Sequence, residues 1–200
     1  MGRRVHRGKA SALWLLLAAT SACTSDSAIV ELDWNFVDHD GEPIFPGGSI
    51  INNRDTCALD GVGATGLTTY ALIVSLVIED TRCLADFEDM PMDDPAACEV
   101  ARESFDCDRA RGAVTGVPVS DAPYLMSVEV FADPAGDEEP FLVDPTCIAV
   151  PGPRTRKVQS GRITDLAVYQ LVAHGIKLDD AEAGQLDLPG CRASDGAPPP

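Results

Sequence analysis

The sequence predicts an all-β protein, a single antiparallel β-sandwich that carries a long acidic, cysteine-containing insertion. Three observations support this fold class. Apolar and polar residues alternate in several short segments, clusters of Gly, Pro and Asp separate these segments, and few segments have helical spacing.

Residues 28–37, AIVELDWNFV, predict the first strand of the folded domain. Val30, Leu32, Trp34 and Phe36 fall on one face with polar residues between them, which is the pattern of a half-buried strand. The following residues, DHDGEPIFPGG, are typical of a turn and loop.

Residues 67–80, LTTYALIVSLVIED, predict a central strand that is covered on both faces. Apolar residues occupy both the odd and the even positions of the segment, so periodicity alone would also allow a buried helix. Its β-branched residues favour the strand.

Residues 79–108 predict an exposed acidic excursion from the sandwich. They contain eleven acidic residues against two basic ones, and two prolines interrupt them. Three cysteines lie in this range, and disulfides would restrict a long loop with little apolar surface of its own.

The remaining segments predict further strands and a tail. Tyr124, Met126, Val128 and Val130 alternate as a strand does, whereas residues 161–173 fit either a helix or a strand. We favour the strand because the rest of the pattern is all-β. The sandwich is expected to span residues 28–191, followed by a disordered tail over 192–200.

Two of these segments carry a family resemblance. DAPYLMSVEVFADPAG, followed by SGRITDLAVYQLV, resembles the last strands of transthyretin-like and carboxypeptidase-regulatory-like sandwich modules. It departs from their pattern before Tyr124, where Ala and Pro stand near the position of the usual Gly. The resemblance implies an immunoglobulin-like or transthyretin-like sandwich and a binding or structural role without catalysis.

Residues 1–22 have the organisation of a cleaved secretory signal. Four basic residues precede a short apolar run, ALWLLLAA, and small residues follow it. Because a membrane-spanning helix needs about 20 apolar residues, this run is too short to be one.

Residues 20–23, TSAC, resemble the lipobox of bacterial lipoproteins, in which the cysteine is acylated and becomes the new amino terminus. The departure is Thr20, where that family usually has Leu, and Ala22 would also suit an ordinary signal peptidase. The resemblance implies a lipid on Cys23, a tether over residues 23–27, and a bacterial envelope protein anchored on the periplasmic or outer surface of a membrane through its acyl chains.

The cysteine count agrees with this interpretation. Seven cysteines are an odd number for an exported chain. Assigning Cys23 to the lipid leaves six, an even set that suits disulfides in an oxidising compartment, whereas a free buried thiol is the alternative. Six cysteines allow many pairings, of which we favour Cys57–Cys107, Cys83–Cys98 and Cys147–Cys191.

The net charge limits the partners. Loss of residues 1–22 removes four basic residues and no acidic one, so the formal net charge changes from −17 to −21. A surface this acidic repels nucleic acid and anionic lipid head groups. We therefore expect membrane contact through the acyl chains, no nucleic-acid partner, and another envelope protein or a glycan as the open possibilities.

The segment Gly61–Gly66, GVGATG, matches the G-x-G-x-x-G pattern of dinucleotide-binding loops. Such a loop must follow a strand and open a helix. Here the residues before it do not resemble a strand and those after it favour a strand, so we expect a flexible loop and no cofactor.

Calcium is the one ligand with support in the sequence. Asp38, Asp40 and Glu42 alternate in a loop, and closely spaced carboxylates suit a hard cation. A solvated acidic turn explains the same residues, and no C-x-x-C, H-E-x-x-H or G-x-S-x-G motif is present. The favoured function is a non-catalytic binding or structural module, and the alternative is a secreted hydrolase with a carboxylate-based or calcium-assisted site.

Overall fold

The computed structural model describes residues 27–45, 57–63, 66–89, 95–134, 139–174, 185–186 and 191–193. Residues 1–22 and Cys23 lie outside these ranges, so the signal and the lipid stay predictions. Twelve strands occur in the described residues: Ser27–Val37 (β1), Pro43–Phe45 (β2), Ala58–Gly63 (β3), Gly66–Asp80 (β4), Glu99–Asp106 (β5), Arg111–Pro118 (β6), Tyr124–Pro134 (β7), Phe141–Leu142 (β8), Ile148–Ala149 (β9), Arg154–Arg156 (β10), Ile163–Ala173 (β11) and Gln185–Leu186 (β12).

Helical structure in the described residues is brief. The α-helix Thr81–Asp89 (α1) follows β4 directly, and 3-10 helices cover Pro95–Cys98 and Cys107–Arg109. In this part of the chain no helix has the length and apolar character that a bilayer crossing requires.

The strands form two sheets that pack on a common core, which confirms the predicted all-β sandwich. The first sheet has the order β2-β1-β11-β9, with β6 also paired to β1. The second has the order β10-β7-β4-β3-β12, with β5 also paired to β4 and β8 to β7. Most pairs are antiparallel as predicted, whereas β1 pairs with β11, and β3 with β12, in parallel.

The parallel pair in the first sheet follows from where the chain enters it. Arg156, the last residue of β10, lies opposite Tyr124 at the start of β7. The hydroxyl of Tyr124 donates to the carbonyl of Pro118, which pairs with Ser27 at the start of β1. After the loop 157–162, β11 therefore begins beside the start of β1 and runs in the same direction.

β1 lies in the middle of the first sheet and supplies one wall of the core. Val30, Leu32, Trp34 and Phe36 are each at most 2% exposed, so the predicted inward face is confirmed. Alternate positions along a strand face opposite sides of a sheet, which is why these four share one environment.

β11 explains why residues 161–173 fit two patterns. Leu166 and Tyr169 are both fully buried although they are three positions apart, whereas inward-facing residues of a regular strand are an even number of positions apart. Ala167 between them has φ +58°, and the register with β1 shifts there, so a bulge restores the inward side chain after one extra residue. The strand interpretation is confirmed, and the bulge produced the helix-like spacing.

β4 is the central strand of the second sheet. It pairs with β7 along one edge and with β3 and then β5 along the other. Leu76 faces the core with no exposure, and Val77 on the opposite face is only 3% exposed, which confirms the prediction of burial on both faces. The inward face predicted for β7 is also confirmed, since its residues 124, 126, 128 and 130 are buried.

The acidic insertion is shorter than the range 79–108 predicted for it. β4 continues to Asp80 and β5 begins at Glu99, so the excursion between them covers residues 81–98 and contains α1. Residues 99–106 pair with β4 despite their acidic character. Backbone pairing tolerates charged side chains at the positions that face solvent, and composition alone could not reveal this.

The chain passes from the second sheet to the first at a corner of residues 107–112. The indole nitrogen of Trp34 donates to the carbonyl of Cys107 at 3.0 Å, and the backbone N–H of Trp34 donates to the carbonyl of Ala110 at 3.0 Å. Ala110 has φ +55°, which allows the tight turn. The rings of Trp34 and Phe105 lie 5.8 Å apart and fill the space beneath.

Arg154 connects the two sheets along another side of the sandwich. Arg154 on β10 places its guanidinium carbon 4.0 Å from the centre of the Tyr169 ring on β11 and donates to the carbonyl of Val168. This contact joins an edge of the second sheet to the first sheet. Within the described residues the buried hydroxyl of Tyr169 has no hydrogen-bond partner, and its pKa is raised by burial.

The tail begins later than predicted. Arg192 forms a β-bridge with Val143, and the N–H of Ala193 donates to the carbonyl of Leu142 at 2.9 Å. These backbone contacts hold the segment beside β8, and the disulfide from Cys191 to Cys147 fixes it next to β9, whereas residues 194–200 lie outside the described ranges.

We predict that Gly112→Ala destabilises the corner. A Cβ atom at this position would lie 2.5 Å from a ring carbon of Phe105, whose ring packs against Trp34 and has little room to move. Overpacking of this kind typically costs about 1–3 kcal/mol, which a urea-unfolding curve would show as a lower midpoint.

Gly152→Ala is the matched control, because a Cβ atom there meets nothing within 4 Å. We expect its free energy of unfolding to stay within about 0.5 kcal/mol of the parent. Equal stability of the two variants would show that the Phe105 ring does not constrain residue 112.

Candidate functional site

The predicted calcium ligands lie in the turn between β1 and β2. One carboxylate oxygen of Asp38 accepts the N–H groups of Asp40 and Glu42, both at 2.9 Å. The N–H of Asp38 donates to the carbonyl of Glu42, and Gly41 reverses the chain with φ +87°. Asp38 is 5% exposed, so its first role is to hold the turn.

Three side chains of this turn could share an ion. Asp38, His39 and Asp40 each offer one ligand atom within 4.8 Å of the others, and His39 contacts Asp40 at 3.2 Å. Glu42 takes part through its backbone, and His39 is a neighbour that we did not predict. The group offers few ligands compared with the six to eight oxygens that calcium prefers, and calcium stays a prediction.

We predict that Asp38→Ala lowers the melting temperature and that Asp38→Asn does so much less. Alanine removes the acceptor of two backbone N–H groups, a loss of about 1–2 kcal/mol, whereas the asparagine side chain keeps an oxygen at that position. Thermal melts in excess chelator measure this role in the turn without any metal.

The same melts in excess calcium test the metal. A calcium site would raise the melting temperature of the parent, and Asp40→Ala and Asp38→Asn would both reduce the rise. Identical melts of the parent in calcium and in chelator would remove calcium from this turn.

The GVGATG segment lies at the end of a β-hairpin. Gly61 and Gly63 belong to β3, Gly66 begins β4, and Gly63 is in register with Gly66. The prediction of a flexible loop from Cys57 to the central strand is corrected, because residues 58–63 form a strand. A dinucleotide loop opens a helix, whereas the chain here returns as a strand, so the segment lacks the helix N-terminus that would hold a pyrophosphate.

Three disulfides join the pairs expected from the sequence: Cys57–Cys107, Cys83–Cys98 and Cys147–Cys191. The first reaches the corner of the chain, the second closes the acidic excursion, and the third holds Cys191 beside β9. Every cysteine between residues 57 and 191 is therefore paired, and Cys23 is the seventh.

A second cluster of charged residues lies on the outer face of the second sheet. Arg102 on β5 contacts Glu99 at 2.9 Å and also contacts Glu129 on β7. To reach Glu129 its side chain must cross β4, which lies between β5 and β7. Val77 is opposite Arg102 in register, and this crossing accounts for its burial on an outer face. We name Glu79, Glu99, Arg102 and Glu129 the Arg102 cluster.

The Arg102 cluster has more carboxylates than its single cation can neutralise. Burial raises the pKa of Glu79 above its usual 4.5, the charges of Glu99 and Glu129 raise it further, and Arg102 opposes the rise. The sequence showed that this region is acidic. It did not show that Glu129 joins the group, because that depends on the pairing of β4 with β7.

We predict that Glu79→Gln stabilises the protein at neutral pH. A carboxyl group whose pKa is raised by folding contributes stability below its unfolded value of about 4.5, and this contribution is lost as the pH rises through the folded pKa. Removing the charge should therefore raise the free energy of unfolding at pH 7 by roughly 0.5 kcal/mol, after solvent screening, and change little at pH 4.

Glu99→Gln is the control, because it removes a carboxylate that Arg102 contacts directly. We expect no gain from it at pH 7. Urea unfolding of both variants at the two pH values makes the comparison, and a gain for Glu79→Gln that is equal at pH 4 and pH 7 would contradict the electrostatic explanation.

Comparisons with known proteins yield little. No protein-family model and no curated protein matches the chain. Among solved structures, a double mutant of the shaft pilin SpaA from Lactobacillus rhamnosus GG aligns with a TM-score of 0.31 and 10% sequence identity, over 74% of this chain and 52% of the pilin chain. The chain thus spans about half the length of that protein, and a likeness at this level has no bearing on function.

Proposed function

We propose that the chain is an exported bacterial envelope protein, anchored through a lipid on Cys23, whose β-sandwich acts as a binding or structural module. Residues 1–22 serve as the signal, and acyl chains on Cys23 hold the protein at the membrane. The transthyretin-like resemblance stays a prediction and agrees with a role of this kind.

The disulfide pattern carries this proposal. Six cysteines form three disulfides within the described residues, which is typical of an oxidising compartment outside the cytoplasm. Cys23 is the one cysteine of the chain outside these pairs. An unpaired thiol in an exported protein calls for a chemical fate, and acylation at the lipobox-like segment supplies one.

The start of the sandwich supports the same proposal. β1 begins at Ser27, four positions after Cys23. Four residues span at most about 14 Å when fully extended, so an acylated Cys23 would keep the sandwich close to the membrane surface. Acylation at more than one site gives stable anchoring, whereas a single acyl chain gives only marginal binding.

The module role is supported by where the polar groups are used. Asp38 holds a turn, and Arg102 links β5 to β7 across β4, so the central residue of each of these two charged clusters has structural partners. The hydrolase alternative is either calcium-assisted or carboxylate-based. The melts described above test the calcium-assisted form, and activity screening on glycans and esters tests the carboxylate-based form.

Intact mass of the protein extracted in detergent from its native envelope tests the anchor. We expect a chain that begins at Cys23 and carries added acyl mass, with six thiols appearing only after reduction and alkylation. Cys23→Ser should abolish the acyl mass and release the protein from the membrane fraction.

Thr20→Leu is the matched control, because it introduces the residue usual in the lipobox and leaves Cys23 in place. It should keep the acyl mass. A parent chain that begins at Cys23 without acyl mass would refute the anchor but leave export standing, and an unprocessed chain with seven free thiols would refute both.

A further inference from the structure

The basic residues of the described chain fall into two groups. Arg82, Arg102, Arg109 and Arg111 each lie within ion-pair distance of a carboxylate. In contrast, residues 154–162, RTRKVQSGR, contain four basic residues and no acidic one, and none of the four pairs with a described carboxylate. Arg154 stacks on Tyr169, and Arg192, which also has no described carboxylate partner, stacks on Phe141. The exposed cations with neither a carboxylate nor an aromatic ring as partner in the described residues are Arg156, Lys157 and Arg162.

These three cations lie at the end of the sandwich where the folded chain begins. The N–H of Gly161 donates to the carbonyl of Ser27, and the N–H of Ile29 donates to the carbonyl of Arg162. Arg156 reaches the same end through Tyr124 and Pro118, as described above. We name this surface the tether end and define it as Ser27, Val119 and residues 156–163.

The tether end also exposes apolar side chains. Val119 is 41% and Ile163 57% exposed, and they are two of the three large hydrophobic residues that stand out as exposed in the described chain. A depression of about 330 Å³ lies beside Ile163 and is lined in part by Ile29, Gly116 and Arg162. Cations combined with exposed aliphatic groups are the composition of surfaces that rest in a lipid head-group region.

Distance makes the overall negative charge compatible with such contact. β1 has eleven residues and is about 35 Å long, so the acidic turn at Asp38 lies far from Ser27. Charges beyond the Debye length, about 8 Å at physiological salt, are largely screened. The charge at the contact therefore matters more than the sum over the chain.

The acidic excursion also leaves the sandwich at this end, because Asp80 pairs with Tyr124. Together with Asp121 and Asp165 it reduces the positive potential. It begins two strands, or about 10 Å, from Arg156, because β7 lies between β4 and β10.

We propose that the tether end contacts the anionic phosphate head groups of the membrane, with Arg156, Lys157 and Arg162 as the contacting cations. This inference rests on the proposed anchor at Cys23. The contact orients the sandwich with its acidic turn away from the bilayer, and it revises the expectation from net charge that anionic lipid is repelled.

The experiment attaches the chain from Cys23 onward, with its three disulfides formed, to vesicles that contain a maleimide lipid. The free thiol of Cys23 forms the link, so no enzymatic acylation is needed. Vesicles of phosphatidylcholine alone are compared with vesicles that also contain phosphatidylglycerol. Hydrogen–deuterium exchange followed by mass spectrometry reports protection of residues 156–163.

We expect exchange in this segment to be about fivefold slower on the anionic vesicles, the factor that one basic residue near an anionic surface typically supplies. High salt should remove the difference. Arg156→Gln, Lys157→Gln and Arg162→Gln combined should also remove it.

The matched control combines Arg109→Gln, Arg111→Gln and Arg192→Gln, which lowers the net charge equally but away from the tether end. It should keep the protection. Equal exchange on neutral and anionic vesicles would overturn the inference, as would protection that survives the first triple variant or disappears in the control. Near-ultraviolet circular dichroism confirms that both variants are folded.

The outcome is independent of the test of the anchor. A missing acyl group in the intact-mass experiment would refute the proposed function, whereas the chemical link would still allow the vesicle measurement. Unchanged exchange on the vesicles would refute the contact and leave acylation at Cys23 untouched.

Discussion

The sandwich depends on the corner at Cys107, where the chain leaves the second sheet and enters the first. The carbonyl of Cys107 accepts the indole N–H of Trp34 from β1, and its sulfur forms a disulfide with Cys57, the residue immediately before β3. One residue thus connects strands from both sheets and the link between them. Because Trp34 is 2% exposed, its indole N–H needs a protein partner, and losing the corner would leave it unsatisfied.

The outer faces show how so acidic a chain tolerates its own charge. Arg102 forms ion pairs with carboxylates on β5 and β7, and Arg111 forms one with Glu31 on the neighbouring strand β1. Arg82 pairs with Asp80, the last residue of β4. Arginines that already pair with carboxylates of the same chain are not available to bind an external partner. The tether end differs because its cations have no such carboxylate, which makes the distribution of charge more informative than its sum.

The sequence predicted those parts of the fold that local pattern encodes. Strict alternation identified the inward face of β1, and continuous apolar character identified β4 as covered on both sides. Prediction from the sequence was less successful at Ala167, where one extra residue shifts the alternation of inward and outward side chains. It also failed where acidic composition concealed the strand β5. Among the candidate sites, the disulfide pairs were predicted, whereas the turn-holding role of Asp38 was not.

The sequence by itself determined that β1, β4 and β7 are strands, which face of β1 and of β7 is buried, and that an even set of cysteines remains beside Cys23. Periodicity and residue counts are local properties, so one chain read alone contains them. Only the tertiary structure decided that Arg102 reaches Glu129, and that residues 156–162 lie beside Ser27, more than a hundred positions earlier in the chain. These neighbours follow from the order and register of the strands, which depend on contacts between distant segments and leave little trace in the pattern of any single one.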